Sequence, residues 1–474
     1  MATYISGRAI TSWAARMQFL KPAYYHTRAL RKHLPQKTTA RVTPFRTTAV
    51  VPMALNTLPK IMTRHAYATD ASQTTTATAL VYSDYGKPSE VLKLLQYHIS
   101  PPTKGAVQIE ILAAPINPAD LNQIEGVYPA RPPMTCEIYS ADGKQHATED
   151  GKGPVPVAVA GNEAVGRVVQ IGEGVTDLQV GDWVVMGTPG LGTWRTRANF
   201  KSSELTKISG ADEEPISLVQ AATLTVNPCT AYRMLRDFRD LFPGDFIIQN
   251  GANSGVGESV IQLAKAMGVK TINVIRNRPG HEQVQQRLKQ LGADYILLDD
   301  QLGKLETKEL VKGWLKVAGE AEPADEKTGK PKAKEVKLGF NCVGGKVTTE
   351  MARLLSKNGH LVTYGAMSRQ PLILPASLQI FKNIHADGFW LTSWNEEHSA
   401  DERSWMIDDL LQIIRNKQLI DVPSQQNDWV MSESKTGSES FQYLEESEQQ
   451  KSLLAAVQKA MAGGHGKQVF VMKH

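Results

Sequence analysis

Residues 244–279, GDFIIQNGANSGVGESVIQLAKAMGVKTINVIRNRP, constrain the fold more tightly than any other stretch. Phe246-Ile247-Ile248 is a short apolar run of the length a buried parallel strand takes. A glycine-rich turn follows, Gly251-Ala252-Asn253-Ser254-Gly255-Val256-Gly257. Val260, Ile261, Leu263, Ala264 and Met267 then recur at helical spacing, and Gly268 ends the helix. Thr271-Ile272-Asn273-Val274-Ile275 reads as the next strand. A strand, turn, helix and strand within about 30 residues is the size of a βαβ dinucleotide-binding unit. Its glycines let backbone approach a pyrophosphate, and the free N–H groups at the helix start face the phosphate charge. This assigns Asn253, Ser254, Gly255 and Val256 to the pyrophosphate. The glycine pattern alone is weak, because a tight strand-to-helix turn without a ligand needs glycine too. It is not a Walker A loop, since Glu258 stands where that motif has lysine.

The second strand strengthens the nucleotide reading. It runs directly into Arg276-Asn277-Arg278. At this distance from the glycines, an acidic residue binds the ribose 2′-hydroxyl of NAD, whereas an arginine accommodates a 2′-phosphate. Guanidinium suits phosphate by charge and by its fork of donors. The pattern therefore predicts NADPH rather than NADH, held in part by Arg276, Asn277 and Arg278. The competing reading is a pair of solvated charges after a strand.

A chain of 474 residues, 41% hydrophobic and 21% charged, can bury a large core and has room for two or three domains. No apolar run reaches the ~18 residues of a membrane span. Cys136, Cys229 and Cys342 lie far apart and make neither a metal spacing nor a disulfide framework, which points to a reducing compartment. The charge is placed unevenly. Before Asp70 there are 11 Lys and Arg and no Asp or Glu, with abundant Thr and Ala. That is the composition of a mitochondrial transit peptide, here residues 1–67, and it predicts a matrix protein. Setting those 11 aside leaves 42 basic against 48 acidic residues, a mature chain near −6. The mature balance argues against nucleic acid as the main partner.

Residues 78–227 are rich in strand signals. Ala79-Leu80-Val81-Tyr82, Val107-Gln108-Ile109-Glu110-Ile111-Leu112, Val165-Gly166-Arg167-Val168-Val169-Gln170-Ile171 and Trp183-Val184-Val185-Met186 predict a small barrel-like domain. Residues 134–156 read as an inserted polar loop. From 228 to 392 strands alternate with helices, which implies a doubly wound parallel sheet. Its further strands are Tyr295-Ile296-Leu297-Leu298, Leu338-Gly339-Phe340-Asn341-Cys342-Val343, His360-Leu361-Val362-Thr363-Tyr364 and residues 384–390, with a charged loop at 318–337. Residues 393–474 carry two helices, at 405–416 and 452–461. A last strand, Gln468-Val469-Phe470-Val471, is expected to return to the first domain.

A β-rich domain followed by such a sheet resembles the medium-chain dehydrogenase/reductase superfamily. Several stretches look like the mitochondrial trans-2-enoyl-thioester reductases within it: Ile116-Asn117-Pro118-Ala119-Asp120, Gly126-Val127-Tyr128-Pro129, Gly161-Asn162-Glu163, Gly192-Thr193-Trp194-Arg195-Thr196, Val226-Asn227-Pro228, Asn341-Cys342-Val343-Gly344-Gly345-Lys346 and Gly388-Phe389-Trp390-Leu391. The resemblance implies an α/β fold, with a GroES-like β-rich catalytic domain at 78–227 completed by 393–474, and a Rossmann cofactor domain at 228–392. It implies an enoyl-acyl carrier protein or enoyl-CoA substrate, and a homodimer formed through the sheet edge around Phe389. The zinc alcohol dehydrogenase branch is disfavoured independently. Asn117 stands where its first thiolate would be, and Asn162 replaces the imidazole of its Gly-His-Glu motif.

Reduction of an α,β-unsaturated thioester needs hydride at the β-carbon, a proton at the α-carbon, and stabilisation of the enolate between the two. A phenol, protonated at neutral pH, can serve either of the last two needs. Tyr128 lies in a loop after a short helix, where side chains face a cleft, and by resemblance it is the catalytic tyrosine. By resemblance too, Asn227, placed after a Thr-Val strand end, contacts the nicotinamide or ribose side. Tyr364-Gly365-Ala366-Met367 follows a strand's C-terminal end, where open α/β sheets bind ligands. Phe389-Trp390-Leu391-Thr392 ends the next strand, and both segments are expected to border NADPH. Lys467 resembles the family's C-terminal lysine near the cofactor; a solvated tail lysine is the other reading. Trp194 reads as a pocket wall or as a buried structural residue. The rival functions are a quinone or alkenal reductase of the same superfamily, or a non-catalytic nucleic-acid-binding or structural relative.

Overall fold

Antiparallel pairing in the first half and parallel pairing in the second build two different kinds of sheet. The computed structural model describes residues 75–139, 154–209, 216–320, 334–430, 441–464 and 466–473. The predicted import segment, much of the 134–156 loop and the centre of the 318–337 loop lie outside the described residues. The ends of that second loop are ordered: the Leu305–Glu320 helix runs into it, and a strand leaves it at Val336.

The strands of the first half are β1 (Thr75–Tyr82), β2 (Lys93–Ile99), β3 (Ala106–Pro115), β4 (Ala158–Val159), β5 (Val165–Ile171), β6 (Trp183–Met186), β7 (Arg197–Lys201) and β8 (Leu205–Ser209). The second half contributes β9 (Phe246–Asn250), β10 (Lys270–Ile275), β11 (Tyr295–Leu298), β12 (Val336–Asn341), β13 (His360–Thr363) and β14 (His385–Gly388). The C-terminal part adds β15 (Ser424–Val430), β16 (Phe441–Tyr443) and β17 (Lys467–Lys473). β9 to β14 form one parallel sheet in the order β11-β10-β9-β12-β13-β14, the doubly wound arrangement. Its central strand β9 is buried throughout, as a parallel strand covered on both faces must be.

The other two sheets belong to the β-rich part. β17 pairs antiparallel with β3 and parallel with β15, so the chain's end completes the sheet its first half begins. β16 likewise joins β2. Trp194 is fully buried, edge-on to Phe470, and donates from Nε1 to Pro115 O at 3.2 Å; it is a core residue. One local expectation fails. Thr225-Val226 is not a strand end; it is a turn between the Leu218–Ala222 and Asn227–Asp237 helices, with Val226 capping the second. Pro228 near the start of that helix costs no hydrogen bond, which is why the chain can turn helical there despite a β-branched pair before it.

Candidate active site

The glycine turn is built as the sequence reading requires. Ser254 caps the Gly255–Ala266 helix, its Oγ accepting from Gly257 N at 3.1 Å. A methyl on Gly257 would lie 2.6 Å from Ala252 O, and one on Gly255 would lie 2.6 Å from Asn227 Nδ2. No acceptor among the described residues takes the N–H of Gly255 or Val256, so two helix-start donors remain open beside a surface that only glycine permits. These features fit a pyrophosphate. Asn253 is exposed at the tip of the turn. Glu258 belongs to the scaffold: Arg287 grips it with two bonds of 2.7 and 3.1 Å.

Arg276, Asn277 and Arg278 emerge, exposed, from the C-terminal end of β10. Asn277 is pinned by Asp299 at 2.9 Å and by Asp300 at 2.9 Å, which holds the loop while its two arginines face solvent. Tyr364-Gly365-Ala366-Met367 leaves the C-terminal end of β13, where Met367 N donates to Cys342 O at 2.9 Å. The turn, the arginines and this segment thus share one edge of the sheet. Phe389 packs edge-on against Phe238, with ring centres 6.2 Å apart. Leu391 packs against the central core.

Tyr128 meets the 389–392 segment from the first domain. The Pro118–Ile124 helix ends beneath it, and both Val127 N and Tyr128 N donate to Asn122 O. Trp390 Nε1 donates to Tyr128 Oη at 2.7 Å, with the rings 6.0 Å apart and nearly perpendicular. Burial raises the phenol's pKa, while hydrogen bonds from Trp390 and Thr392 pull it the other way. Nearby, the exposed Arg369 reaches from the loop after Met367 to Glu125 at 3.2 Å, a second contact across the cleft. Arg369 holds φ at 55°, an uncommon conformation for a residue with a Cβ.

Lys467 is not a solvated tail residue. It opens β17 and turns its ammonium inward to Asn117 Oδ1. Asn117 Nδ2 donates to Glu163 Oε2 at 2.9 Å, and Asn117 N donates to Asp120 Oδ2 at 2.7 Å. Asn162 Nδ2 donates to Asp120 Oδ1 at 2.7 Å and to Gln123 Oε1 at 2.5 Å. Glu163 Oε1 accepts from Val226 N at 2.8 Å and from Thr225 Oγ1 at 3.2 Å, one residue before Asn227. Burial pushes Asp120 up to about 6, raises Glu163 and lowers Lys467. Sequence reasoning noticed Asn117 and Asn162 only as replacements for metal ligands. It missed Asp120 and Glu163 as members of a site, because the contacts that join them to Asn162, Asn117 and Val226 respectively span more than 40 residues, and the one local bond, Asn117 N to Asp120, reads as a helix cap.

Two family models match: an alcohol dehydrogenase GroES-like domain at residues 103–210 and a zinc-binding dehydrogenase domain at residues 255–405. The mitochondrial enoyl-[acyl-carrier-protein] reductase of Xenopus tropicalis is 42% identical over 353 residues, which is 74% of this chain and 88% of the relative. A solved structure described as the Etr1p/NADP/crotonyl-CoA complex superimposes with a TM-score of 0.71 at 32% identity, covering 84% of this chain and all of that one. The mitochondrial 2-enoyl thioester reductase Etr1p/Etr2p heterodimer from Candida tropicalis gives the same TM-score of 0.71, identity of 32% and coverage of 84% and 100%. Likeness at this level, over both the β-rich and the doubly wound parts, makes the chain a member of the mitochondrial enoyl-[acyl-carrier-protein] reductase family of medium-chain dehydrogenases/reductases.

Proposed function

We infer that the protein reduces trans-2-enoyl thioesters to saturated acyl thioesters with NADPH, in the mitochondrion. Its relatives are named mitochondrial enoyl-[acyl-carrier-protein] reductases, and the similar solved complex holds NADP and crotonyl-CoA. We assign the transit segment to residues 1–67, the destination to the matrix, and the carrier to acyl carrier protein or coenzyme A. The domain division we adopt is a catalytic part at 78–227 with 393–474, and a cofactor part at 228–392.

When bound, NADPH supplies the hydride that the enoyl β-carbon takes up. Asn253, Ser254, Gly255 and Val256 line the pyrophosphate; Arg276, Asn277 and Arg278 take the 2′-phosphate. Asn227, the 364–367 segment, the 389–392 segment and Lys467 border the rest. The single observation that carries the chemistry is the Trp390 bond to Tyr128. The indole N–H occupies an acceptor site of the phenol oxygen and leaves the phenol's own proton for a substrate. Tyr128 Oη–H can hydrogen-bond the thioester oxygen as negative charge gathers there, or deliver its proton to the α-carbon. The Trp390 and Thr392 hydrogen bonds favour the phenolate that delivery leaves behind.

Tyr128→Phe is expected to lower the chemical rate roughly 10²–10⁴-fold while fluorescence titration still shows NADPH binding. Near-normal turnover would remove Tyr128 from this role. The substrate reading is tested by following NADPH absorbance with crotonyl-CoA, then with a quinone, then with NADH replacing NADPH. Faster turnover of the quinone would make the protein a quinone reductase on the same fold.

We also assign a homodimer formed through β14, one of the two edge strands of the parallel sheet. Phe381 and Ile380 beside it are 76% and 71% exposed, whereas Phe389 is partly buried against Phe238, so the former pair offers the apolar surface.

A further inference from the structure

The group Asp120, Glu163 and Lys467 holds two carboxylates and one ammonium, surrounded by the carboxamides of Asn117, Asn162 and Gln123. Asp120 and Glu163 are 1% and 0% exposed. Lys467 bonds Asn117 Oδ1 rather than a carboxylate, and acts on Asp120 and Glu163 through its charge alone. The other titratable groups felt by this cluster are Tyr82 and Tyr128 at Asp120, and Cys229 at Glu163. Each is raised by burial and stays neutral. With both carboxylates ionised, the cluster therefore carries one net negative charge in a place where water does not screen it.

Its position is specific. Glu163 Oε1 accepts from Val226 N, and the next residue, Asn227, presses its amide against the Gly255 turn. At the other end, Asp120 lies on the helix that delivers the Tyr128 loop. The cluster is thus tied at one end to the helix that precedes the Tyr128 loop and at the other to the residue before Asn227.

We propose that the Asp120–Glu163–Lys467 cluster is an electrostatic base for the nicotinamide end of the cleft, whose net negative charge favours the oxidised, positively charged cofactor over the reduced one. Hydride donation leaves the nicotinamide ring with one more positive charge than before. A fixed anion beneath the cleft therefore helps the forward direction without touching the reacting atoms. The two carboxylates supply the sign, and Lys467 keeps the buried charge at one unit instead of two, which the fold would not carry unpaired. This rests on the cofactor reading of the Asn227 side of the cleft.

The test is the ratio of dissociation constants for NADP⁺ and NADPH, measured by titration of the full-length mature enzyme without substrate. Glu163→Gln removes an anion and is expected to weaken NADP⁺ relative to NADPH by roughly five- to thirtyfold, the effect of a unit charge across about 8–15 Å at an effective dielectric near 20. Lys467→Met removes the cation and is expected to move the ratio the opposite way. A merely structural role, or a lost contact to the shared phosphates, changes both affinities together and leaves the ratio where it was. If Glu163→Gln fails to fold, Asp120→Asn asks the same question. The unmutated enzyme asks it without substitution, since lowering the pH from 8 to 5.5 protonates Asp120 and is expected to disfavour NADP⁺. A constant ratio, or the same direction of change in the anion and cation variants, overturns the proposal. Failure of the unmutated enzyme to bind either form overturns the cofactor reading beneath it.

Discussion

Trp390 Nε1 to Tyr128 Oη is one hydrogen bond between residues 262 apart in sequence, and it joins the two halves of the cleft. Replacing Trp390 by Phe keeps an aromatic edge and removes only the donor. A neutral hydrogen bond contributes about 1 kcal/mol net, so the expected loss in kcat is about fivefold, with the KM for NADPH little changed. Because that bond lowers the phenol's pKa, its loss also moves the alkaline limb of the pH–rate profile upward. A profile that stays in place would show that the indole only fills space. Asp120 gives a stability prediction of unfamiliar sign. Its native pKa, about 6, lies above its ordinary value of 3.8, so the folded chain holds the proton more tightly than the unfolded chain. Between pH 4 and 6 this group makes the fold less stable as pH rises. The unfolding free energy of the unmutated protein, taken relative to Asp120→Asn, is expected to fall by roughly 2 kcal/mol across that range in urea titrations. Single residues were legible in the sequence only where a motif carried them. Tyr128 and Trp390 were each named, but their bond was not, and Lys467 could be placed near the cofactor only by resemblance.

The βαβ unit was the most legible element, because three separate signals agree on it: an apolar strand, a glycine turn and a helical period. Each corresponds to a physical demand the structure makes. Gly257 has backbone within 2.7 Å of where a Cβ would sit, and Gly251, at φ 58°, has the Cys342 sulfur 2.5 Å from that point. Gly257→Ala must push the turn apart. Overpacking of this kind costs about 1–3 kcal/mol, and the displaced N–H groups are expected to weaken NADPH binding at least tenfold in a fluorescence titration. Normal affinity would mean that the turn does not hold the phosphates. The arginines at the end of β10 separate from this effect. Arg276→Ala with Arg278→Ala is expected to raise the KM for NADPH by roughly 10- to 100-fold, the value of one or two charged hydrogen bonds, and to leave that for NADH unchanged. The Asn227 region was misread because Thr-Val before Asn-Pro has strand composition. Pro228 permits a helix start there, and a carboxylate from elsewhere, Glu163, takes the Val226 N–H ahead of it, which local propensity does not record.

At the scale of the molecule, the return of β17 to β3 was legible as an isolated apolar strand at the chain's end, but its consequence was not. By crossing back, the last strand carries Lys467 into the base of the first domain, and it places Gly464 within reach of Arg278. The open edge at β14 follows a similar logic. His385 N and Phe389 N donate to the neighbouring β13 side, at Gly359 O and Thr363 O. Since successive N–H groups of a strand alternate in direction, that of Ala386 points away from the sheet, towards any second strand. An edge of this kind, flanked by exposed Ile380 and Phe381, is a pairing template unless something covers it. Ala386→Pro removes an outward donor and no bond within the chain, and it puts a ring where a partner backbone would lie. Sedimentation of the mature protein is expected to give a dimer, and of Ala386→Pro a monomer that still binds NADPH. A dimer that survives the substitution would move the interface off β14. A monomer that no longer binds cofactor would mean that the edge also supports the 389–392 segment, which begins one residue beyond β14 and carries Trp390 to Tyr128.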